Sequence, residues 1–480
     1  MNFLNILENI RLWLMRMFKL EPAQPKQFYV RENFTFEDNQ ALNRIWYHGD
    51  PEELSQIYSQ IGDTGFWSMS AKSRKIQKIH TGLPSLIVDT ISQIVASDML
   101  NIEISNAPAE QELLNKILEE NQFSDLLEQS VGDVLIDGDG AFKLEYHPEL
   151  SEYPALKFVS GSRVQYEKSE IIFLTKYVKN SREFLLRECY GFGYVKYLLT
   201  DSSGIAVSLD TLDETRNLTD LIFDKKICLA VPLKFRNSKR YKGRGQSIFD
   251  RKRGCFDALD ESWSQYMGAV RKSQPKTYIP SALADYNPET GEPLRPDPFE
   301  DNYITVGQNM AENANNQIVN IQPEIQTEGY LSAYMTALDL CLQGLISPST
   351  LGIDVKKLDN ADAQREKEKA TLYTRNRIVT VLQKILPVLF RAVLWTYYAE
   401  HELDFPKNLK ISVPWGEYAN PSFESQVETI GKAKSSRIMS NEAAVEELYG
   451  DTKPDDWKQA EIERLNLIDG LISPSDEELF

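Results

Sequence analysis

The chain has 480 residues and a formal net charge of −18, from 53 basic and 71 acidic side chains. Hydrophobic residues make up 42% and charged residues 26%, which is typical of a globular chain with about two to four domains. So acidic a chain is not expected to bind nucleic acid over its general surface, because phosphate binding needs basic side chains. It could still line a wall past which a polyanion slides.

The first 29 residues predict an N-terminal helix followed by a polar arm. Glu8, Arg11 and Arg16 interrupt the apolar run, so this segment is a poor signal peptide. We expect the helix to dock on a partner or on its own domain. We also expect no stretch of the chain to span a membrane. The apolar face of the helix is formed by Phe3, Leu7, Ile10, Leu14 and Met17.

The next part of the chain, to about residue 132, is predicted to be mostly helical. A helical pattern runs from Asp38 to Tyr58 with a break at Gly49-Asp50-Pro51. In the stretch from Lys78 to Met99 a helix is predicted to begin at Pro84, and another helix is predicted over Glu110–Gly132. A β-rich block follows. Because Asp-Gly between apolar runs is a hairpin signal, Val134-Leu135-Ile136 and Ala141–Tyr146 are predicted to pair as strands. The other predicted strands are Ala155–Val159, Val164–Tyr166, Ile171–Val178, Glu183–Tyr190, Gly193–Leu199 and Val231–Phe235.

A basic patch closes the β-rich block. Nine basic side chains fall within twenty residues, against the single acid Asp250. One interpretation is a solvated surface, or salt bridges to acidic neighbours. The other is a ring of charge that faces a polyanion. The nine residues are Lys234, Arg236, Lys239, Arg240, Lys242, Arg244, Arg251, Lys252 and Arg253.

Two helices are predicted to flank a proline-rich insert with short strands. The first runs from Ser247 to Lys272, and the second ends at Ile346, where Ser347-Pro348 stops it. After a polar loop a long helix begins near Asn360 and reaches Tyr398. Pro387 lies inside this helix, so we expect a kink near Leu386, because proline removes one backbone hydrogen bond. A strand, two helices and an acidic helical tail follow.

No catalytic constellation is apparent, and we predict no enzyme activity, no cofactor and no metal site. The P-loop and GxSxG patterns do not occur in the sequence. The four cysteines and four histidines are scattered, which favours reduced, buried thiols over zinc binding. Asp133, Asp137 and Asp139 lack the closing glutamate of a calcium loop, and turn chemistry explains them better.

Several short motifs occur in a fixed order along the chain. They are Trp46-Tyr47-His48-Gly49-Asp50-Pro51-Glu52-Glu53-Leu54, Lys78-Ile79-His80-Thr81-Gly82-Leu83-Pro84, Gly138-Asp139-Gly140-Ala141-Phe142-Lys143, Ser247-Ile248-Phe249-Asp250 with Phe256-Asp257-Ala258-Leu259-Asp260, and Ile346-Ser347-Pro348-Ser349-Thr350-Leu351-Gly352-Ile353 followed by Asn360-Ala361-Asp362-Ala363-Gln364-Arg365-Glu366-Lys367-Glu368-Lys369. Together with the order of predicted elements, this set resembles the portal proteins of tailed bacteriophages, particularly those of Gram-positive hosts. The resemblance covers nearly the whole chain.

The resemblance implies an α+β portal fold with named parts. Residues 1–29 would be the N-terminal helix and arm, 30–246 the first part of the wing, and 247–272 the first stem helix. A small α/β clip (273–325) and the second stem helix (326–346) would follow. The tunnel loop would be 347–361, the long kinked helix and return of the wing 362–450, and a short crown or tail 451–480.

The family implies a ring, usually of about twelve subunits, at one capsid vertex. Double-stranded DNA would be packaged through its channel, without sequence specificity, and later ejected. The implied partners are the terminase large subunit, the scaffolding and major capsid proteins and a head–tail adaptor, with no membrane. The protein would be found in the virion, and in the host cytoplasm during assembly. The residues expected to face DNA are Lys356 and Lys357 in the tunnel loop, with Arg251, Lys252 and Arg253 in the stem as competing candidates.

Two alternatives to this interpretation are open. One is a capsid or tail protein of another kind, which would have no channel. The other is a magnesium-dependent nuclease that uses Asp133, Asp137 and Asp139.

Overall fold

The computed structural model describes residues 35–61, 65–69, 76–105, 107–145, 151–167, 169–224, 226–280, 288–289, 303–307, 318–353, 361–406, 409–416, 423–449 and 453–468. The fold is α+β. The chain divides into one unit of residues 1–39 and a second of residues 40–480. Within the described end of the first unit, the Asp38 backbone N–H donates to Thr35 Oγ1 at 3.1 Å, and the Thr35 N–H donates to Asp38 Oδ2 at 2.9 Å. These reciprocal bonds cap the first helix.

The helical part before the β-rich block has five helices in its described residues. They are α1 (Phe36–His48), α2 (Pro51–Ile61), α3 (Leu83–Ser97), α4 (Pro108–Glu120) and α5 (Phe123–Asp137). The break between α1 and α2 lies at Gly49, which has φ +72°, as the Gly49-Asp50-Pro51 motif predicts. The side chain of Asp50 accepts the backbone N–H of Glu52 at 2.7 Å, which caps α2.

The β-rich block forms two antiparallel sheets. In the first, β10 (Ala230–Lys234), β2 (Asp139–Glu145) and β3 (Ala155–Ser160) lie side by side. The second is a meander with strand order β4-β5-β6-β7-β8, and β9 pairs with β7. Its strands are β4 (Val164–Tyr166), β5 (Ile171–Lys179), β6 (Arg182–Gly191), β7 (Tyr194–Asp201), β8 (Ala206–Val207) and β9 (Leu221–Ile222). The strands predicted from Val164 to Leu199 are confirmed, with ends within a few residues of those expected.

The helix α6 (Arg253–Lys272) leads into a three-stranded sheet of order β12-β11-β13, and α7 (Thr327–Leu342) leads away from it. The central strand β11 (Lys276–Pro280) pairs parallel with β12 (Tyr303–Val306) and antiparallel with β13 (Val319–Ile321). The long helix α8 (Ala361–Glu400) follows. The last described elements are β14 (Lys410–Ser412), which pairs with β1 (Glu103–Ser105), and the helices α9 (Phe423–Ser435), α10 (Asn441–Tyr449) and α11 (Asp455–Ile468).

The predicted hairpin around Asp137-Gly138-Asp139-Gly140 is wrong. Val134-Leu135-Ile136 is the last turn of α5, and only the residues after Gly138 form a strand. Gly138 has φ +97°, and its N–H donates to the Val134 carbonyl at 2.9 Å, which closes the helix. A short apolar run fits a buried helix as well as a buried strand, so the pattern alone could not decide between them.

The single helix predicted over Glu110–Gly132 is two helices. α4 ends at Glu120 and α5 begins at Phe123. Gln122 adopts a left-handed conformation with φ +47°. The Asn121 side-chain amide donates to the carbonyls of Ile117 and Pro154, at 2.8 and 2.9 Å, so a partner distant in sequence fixes the break.

Both predicted stem helices are shorter in the structure. The first begins at Arg253 rather than Ser247, because Ser247–Lys252 form a turn that is bonded to α5. Ser247 Oγ donates to the Leu135 carbonyl at 3.0 Å, and the Ile248 N–H donates to the same oxygen at 3.1 Å. The second helix ends at Leu342 rather than Ile346, and Gly344 follows with φ +74°.

The long helix passes through Pro387, as predicted, without ending there. Pro387 has no N–H to donate one turn back, and the bend itself stays a prediction. One part of this helix, Lys369–Glu400, is long and apolar enough to cross a membrane by length and composition, contrary to the expectation from the sequence. Half of its apolar window is buried inside the protein, as in the core helix of a globular fold. Leu382, Leu386, Leu389 and Phe390 are fully buried there.

Candidate functional site: the joint between the paired helices and the rest of the chain

The helices α6 and α7 form an antiparallel pair. Trp263 packs on Tyr334 with ring centroids 5.3 Å apart, and Tyr266 packs on Tyr330 at 5.8 Å. Lys252 Nζ donates to the Leu340 carbonyl at 2.5 Å. The residue numbers rise along one helix while they fall along the other, so the two helices run in opposite directions. The small sheet β11–β13 therefore lies at one end of the pair, and the joint with the remaining fold lies at the other.

Asp260, on α6, is the centre of this joint. Its carboxylate accepts four donors: His80 Nδ1 at 2.7 Å, the Thr81 N–H and Thr81 Oγ1 both at 2.9 Å, and the Trp67 indole N–H at 3.2 Å. The side chains of His80 and Asp260 are 4% and 1% exposed. A buried carboxylate needs donors for its oxygens, and here the segment before α3 supplies all four.

One turn earlier on α6, Asp257 makes a second attachment. Its two oxygens accept the backbone N–H groups of Phe66 and Trp67, at 2.8 and 3.1 Å. Burial raises the pKa of Asp257, and those two hydrogen bonds lower it in part. Lys78 donates to the Trp67 carbonyl at 2.7 Å. Asp257 and Asp260 thus bind two separate segments of the chain to one face of α6.

A second polar cluster joins α1, α5 and the first sheet. The guanidinium of Arg44 binds the buried Asp137 through two hydrogen bonds, of 2.9 and 2.7 Å, and also donates to Ser160 Oγ at 2.5 Å. This bidentate geometry orders both side chains. Hydrogen bonding to Asp137 raises the pKa of Arg44 against the effect of burial.

The turn before α6 is held by Asp139. Its carboxylate accepts the Gly245 N–H at 2.6 Å and the Arg244 guanidinium at 3.0 Å. Arg244 also donates to the carbonyls of Gly161 and Val164, both at 2.6 Å. Gly245 lies so close to the backbone of Gly138 that a side chain there would collide with it. The predicted Gly138-Asp139-Gly140 turn is therefore a tertiary contact point rather than a hairpin.

These contacts bear on the nuclease alternative. Asp137 and Asp139 bind different arginines, and among the described residues no group of three or more His, Cys, Asp or Glu side chains could hold a metal ion. Burial and the nearby Asp137 raise the pKa of Asp133 to about 6. Asp137 and Asp139 are therefore each bound to an arginine within the fold.

The residues predicted to face DNA differ in their exposure and in their contacts. Arg251 is exposed to solvent. Lys252 is bonded to α7, and burial lowers the pKa of Arg253, which lies partly inside the joint. Lys356 and Lys357, in the predicted tunnel loop, lie outside the described residues. Of the three stem candidates, only Arg251 can meet a polyanion without loss of a contact that holds the fold.

Sequence reasoning missed the roles of His80, Trp67 and Asp260. His80 and Asp260 lie in two of the ordered motifs, but the sequence does not show that they are partners, and Trp67 lies in none of the motifs. The structure brings three of these motifs together, because Trp46 lies 5.6 Å and Trp67 6.3 Å from the His80 ring, and Asp260 bonds to that ring. An aspartate on the apolar face of a predicted helix, here between Leu259 and Trp263, was the available signal, since such a position demands a partner.

The helix α7 is buried unevenly. Leu338 and Leu342 are buried, but Leu331 in the same helix is 43% exposed. Most residues from Thr327 to Thr336 are exposed, although the helix is apolar on average. Among the described residues, those exposed at the end of α7 near the small sheet are therefore small or polar, except for Leu331.

Comparisons with known proteins find only distant similarity. No protein-family model and no curated protein matches the chain. One similar solved structure is from the neck of a native gene transfer agent (GTA) particle computed with C12 symmetry, with TM-score 0.41 and 13% identity over 77% of this chain and 91% of that one. The virion of a native GTA particle gives TM-score 0.38 and 12% identity, covering 94% and 98%. The neck of an empty GTA particle computed with C6 symmetry gives 0.40 and 12%, covering 77% and 90%. TM-scores below 0.5 do not establish a shared fold.

Proposed function

We propose that this chain is a portal subunit, which forms with other copies a ring around a channel for double-stranded DNA. The observation that carries the proposal is the antiparallel α6–α7 pair. It ends in a small sheet on one side and is fixed by Asp257 and Asp260 on the other. A rigid, attached helix pair with an appendage at its tip is the arrangement that the order of motifs implies for a stem and a clip.

The uncovered surface of α7 supports assembly into a ring. From Thr327 to Thr336 the exposed side chains are small except for Glu328 and Leu331, so another copy could pack closely against them. If the same helix of each copy is covered by a different surface of the next copy, the contact is heterologous, and it closes into a ring when the rotation permits. α7 carries only two charged side chains, Glu328 and Asp339, so charge opposes such packing little.

The net charge supports passage rather than tight binding of DNA. Twelve copies at −18 each would carry −216 (12 × −18), which repels a polyanion from most of the surface. In this proposal the terminase large subunit supplies the motor, and the ring itself hydrolyses neither ATP nor DNA. The scaffolding and major capsid proteins and a head–tail adaptor would contact the ring at one vertex of the virion, after assembly in the host cytoplasm.

The test is the mass of the native assembly. Twelve copies of the 55.0 kDa chain would give about 660 kDa. We expect Leu331→Glu to break the ring into small species, because it places a charge in the proposed contact while costing an isolated chain little. Val178→Glu is the matched control, since Val178 is 72% exposed at the end of β5. A wild-type chain that stays a monomer at micromolar concentration contradicts the proposal.

The other candidate is a virion structural protein without a channel. Electron images of the purified assembly separate the two, because a portal has a central hole along its symmetry axis. A large assembly without that hole would favour the alternative.

A further inference from the structure

A short loop between β10 and α6 carries several basic side chains and is held in shape by its own hydrogen bonds. Its two ends meet at an isolated bridge between Asn237 and Gly245. The Ser238 N–H donates to the Arg244 carbonyl, and the Gln246 N–H to the Arg236 carbonyl, both at 2.9 Å. At the tip, Ser238 Oγ accepts the N–H groups of Arg240 and Tyr241, at 3.2 and 3.1 Å. We call residues 236–246 the basic loop.

The basic loop is fixed to the core at its base. Arg244 and Gly245 bind Asp139, as described above, and Lys234 donates to the Gly243 carbonyl while its Nζ lies 3.6 Å from the Tyr166 ring centroid. Lys234 and Arg244 are therefore structural members of the predicted basic patch. Because the loop is already fixed in this way, it loses little conformational entropy when it binds a ligand.

Three further basic side chains of the loop lie on the surface. Arg236, Lys239 and Lys242 are exposed, and none forms an ion pair with a described residue. From residue 225 to 249 the sequence has eight bases and no acid, so the rest of the chain carries −26 (−18 − 8). A polyanion is repelled by the average surface and attracted here.

We propose that the basic loop binds the phosphate backbone of duplex DNA. The chemistry of the surface around the loop disfavours a protein partner. In the described residues no large hydrophobic side chain is exposed between Ile222 and Val270, whereas a protein interface needs an apolar core. Lysine and arginine contacts to phosphates carry no base information, so binding would be independent of sequence. The inference rests on the proposed function in one respect, because a ring would repeat three weak contacts around one DNA and add avidity.

The experiment measures the binding of a fluorescent 40-base-pair duplex to the full chain by anisotropy, between about 50 and 200 mM NaCl. The variant is Arg236→Gln/Lys239→Gln/Lys242→Gln. The matched control is Lys176→Gln/Arg182→Gln/Lys196→Gln, which removes three exposed bases from the six-stranded sheet. The loss of three phosphate contacts lowers the salt slope by about 2.7, from about 0.9 for each contact. The wild-type affinity should then fall over this salt range about 40-fold more than that of the loop variant.

The control should keep the wild-type slope. If the loop variant also keeps it, the proposal is overturned. The same holds if the native mass of the loop variant alone collapses, since the loop then joins copies of the chain. The proposal is also overturned if a polyglutamate peptide of equal charge displaces the labelled duplex as effectively as unlabelled duplex does. An acidic protein would then be the better candidate for the partner. If the wild-type chain is a monomer but the loop variant loses the salt-dependent binding, the portal proposal fails while the basic loop remains a DNA contact.

Discussion

Replacement of Asp260 by alanine should loosen the attachment of α6 selectively. The carboxylate is 1% exposed and accepts four donors, from His80, Thr81 and Trp67. Alanine leaves those donors buried and without their acceptor, and it opens a small void. Removal of one partner of a buried charged network costs about 3–5 kcal/mol. We therefore expect the free energy of unfolding to fall by about that amount.

The assay combines urea unfolding with hydrogen exchange by mass spectrometry. The Thr81 N–H donates to Asp260, so the peptide that covers residues 76–82 should exchange faster in the Asp260→Ala variant. Asp257→Ala is the matched control, one turn away on the same helix. It removes the acceptor of the Phe66 and Trp67 N–H groups, so exchange should rise in the peptide that covers residues 65–69 instead.

Two results would refute this reasoning. One is an Asp260→Ala variant with a loss of stability below about 1 kcal/mol, which is the size of an ordinary surface change. The other is equal acceleration of both peptides in both variants, because the two aspartates would then act only through global unfolding.

Asp133 has a pKa of about 6 in the fold against an ordinary value of 3.8. The free energy of unfolding should therefore rise as the pH falls from 7 through 6 towards 4, by at most about 3 kcal/mol at 1.36 kcal/mol for each unit of pKa shift. Asp133→Asn should abolish that rise in urea titrations across this range. Lys356→Glu/Lys357→Glu should assemble normally but package or retain DNA poorly in a packaging assay; if it packages a full genome while Arg251→Glu does not, the DNA contact lies in the stem. Replacement of residues 285–298 by a Gly/Ser linker of equal length should leave rings intact but abolish packaging and tail joining. This result would support the clip as the terminase and adaptor site. A linker is used rather than a deletion because β11 and β12 are parallel and need a long crossover connection.

Local pattern predicted most elements of the fold. The strands of the meander alternate buried and exposed residues, and turn residues separate them, so their positions followed from the sequence. The helix break at Gly49 followed in the same way. In each of these cases one short segment determines its own conformation through steric limits and burial.

The failures have a different physical origin. The split between α4 and α5 depends on a bond from Asn121 to Pro154, and the late start of α6 depends on bonds from Ser247 and Ile248 to Leu135. Contacts between residues about 30 and 110 positions apart leave no local signal. The basic patch illustrates the same limit, because nothing in its sequence separates Arg244, which binds Asp139, from the exposed Lys242.

The joint holds its helices with buried charges where apolar packing would have stabilised the fold at least as well. Buried ion pairs and charged hydrogen bonds contribute modestly to stability once desolvation is counted, but they fix the positions of the groups they join. The donors of His80, Thr81 and Trp67 reach an acceptor only when all three residues lie against Asp260. Arg44 fixes the position of Asp137 in the same way, and Arg244 that of Asp139. An apolar joint would let α6 settle at several angles at little cost. In the ring proposed above, the helix pair would have to repeat its tilt in every copy, and the buried charges at the base of α6 would serve that requirement.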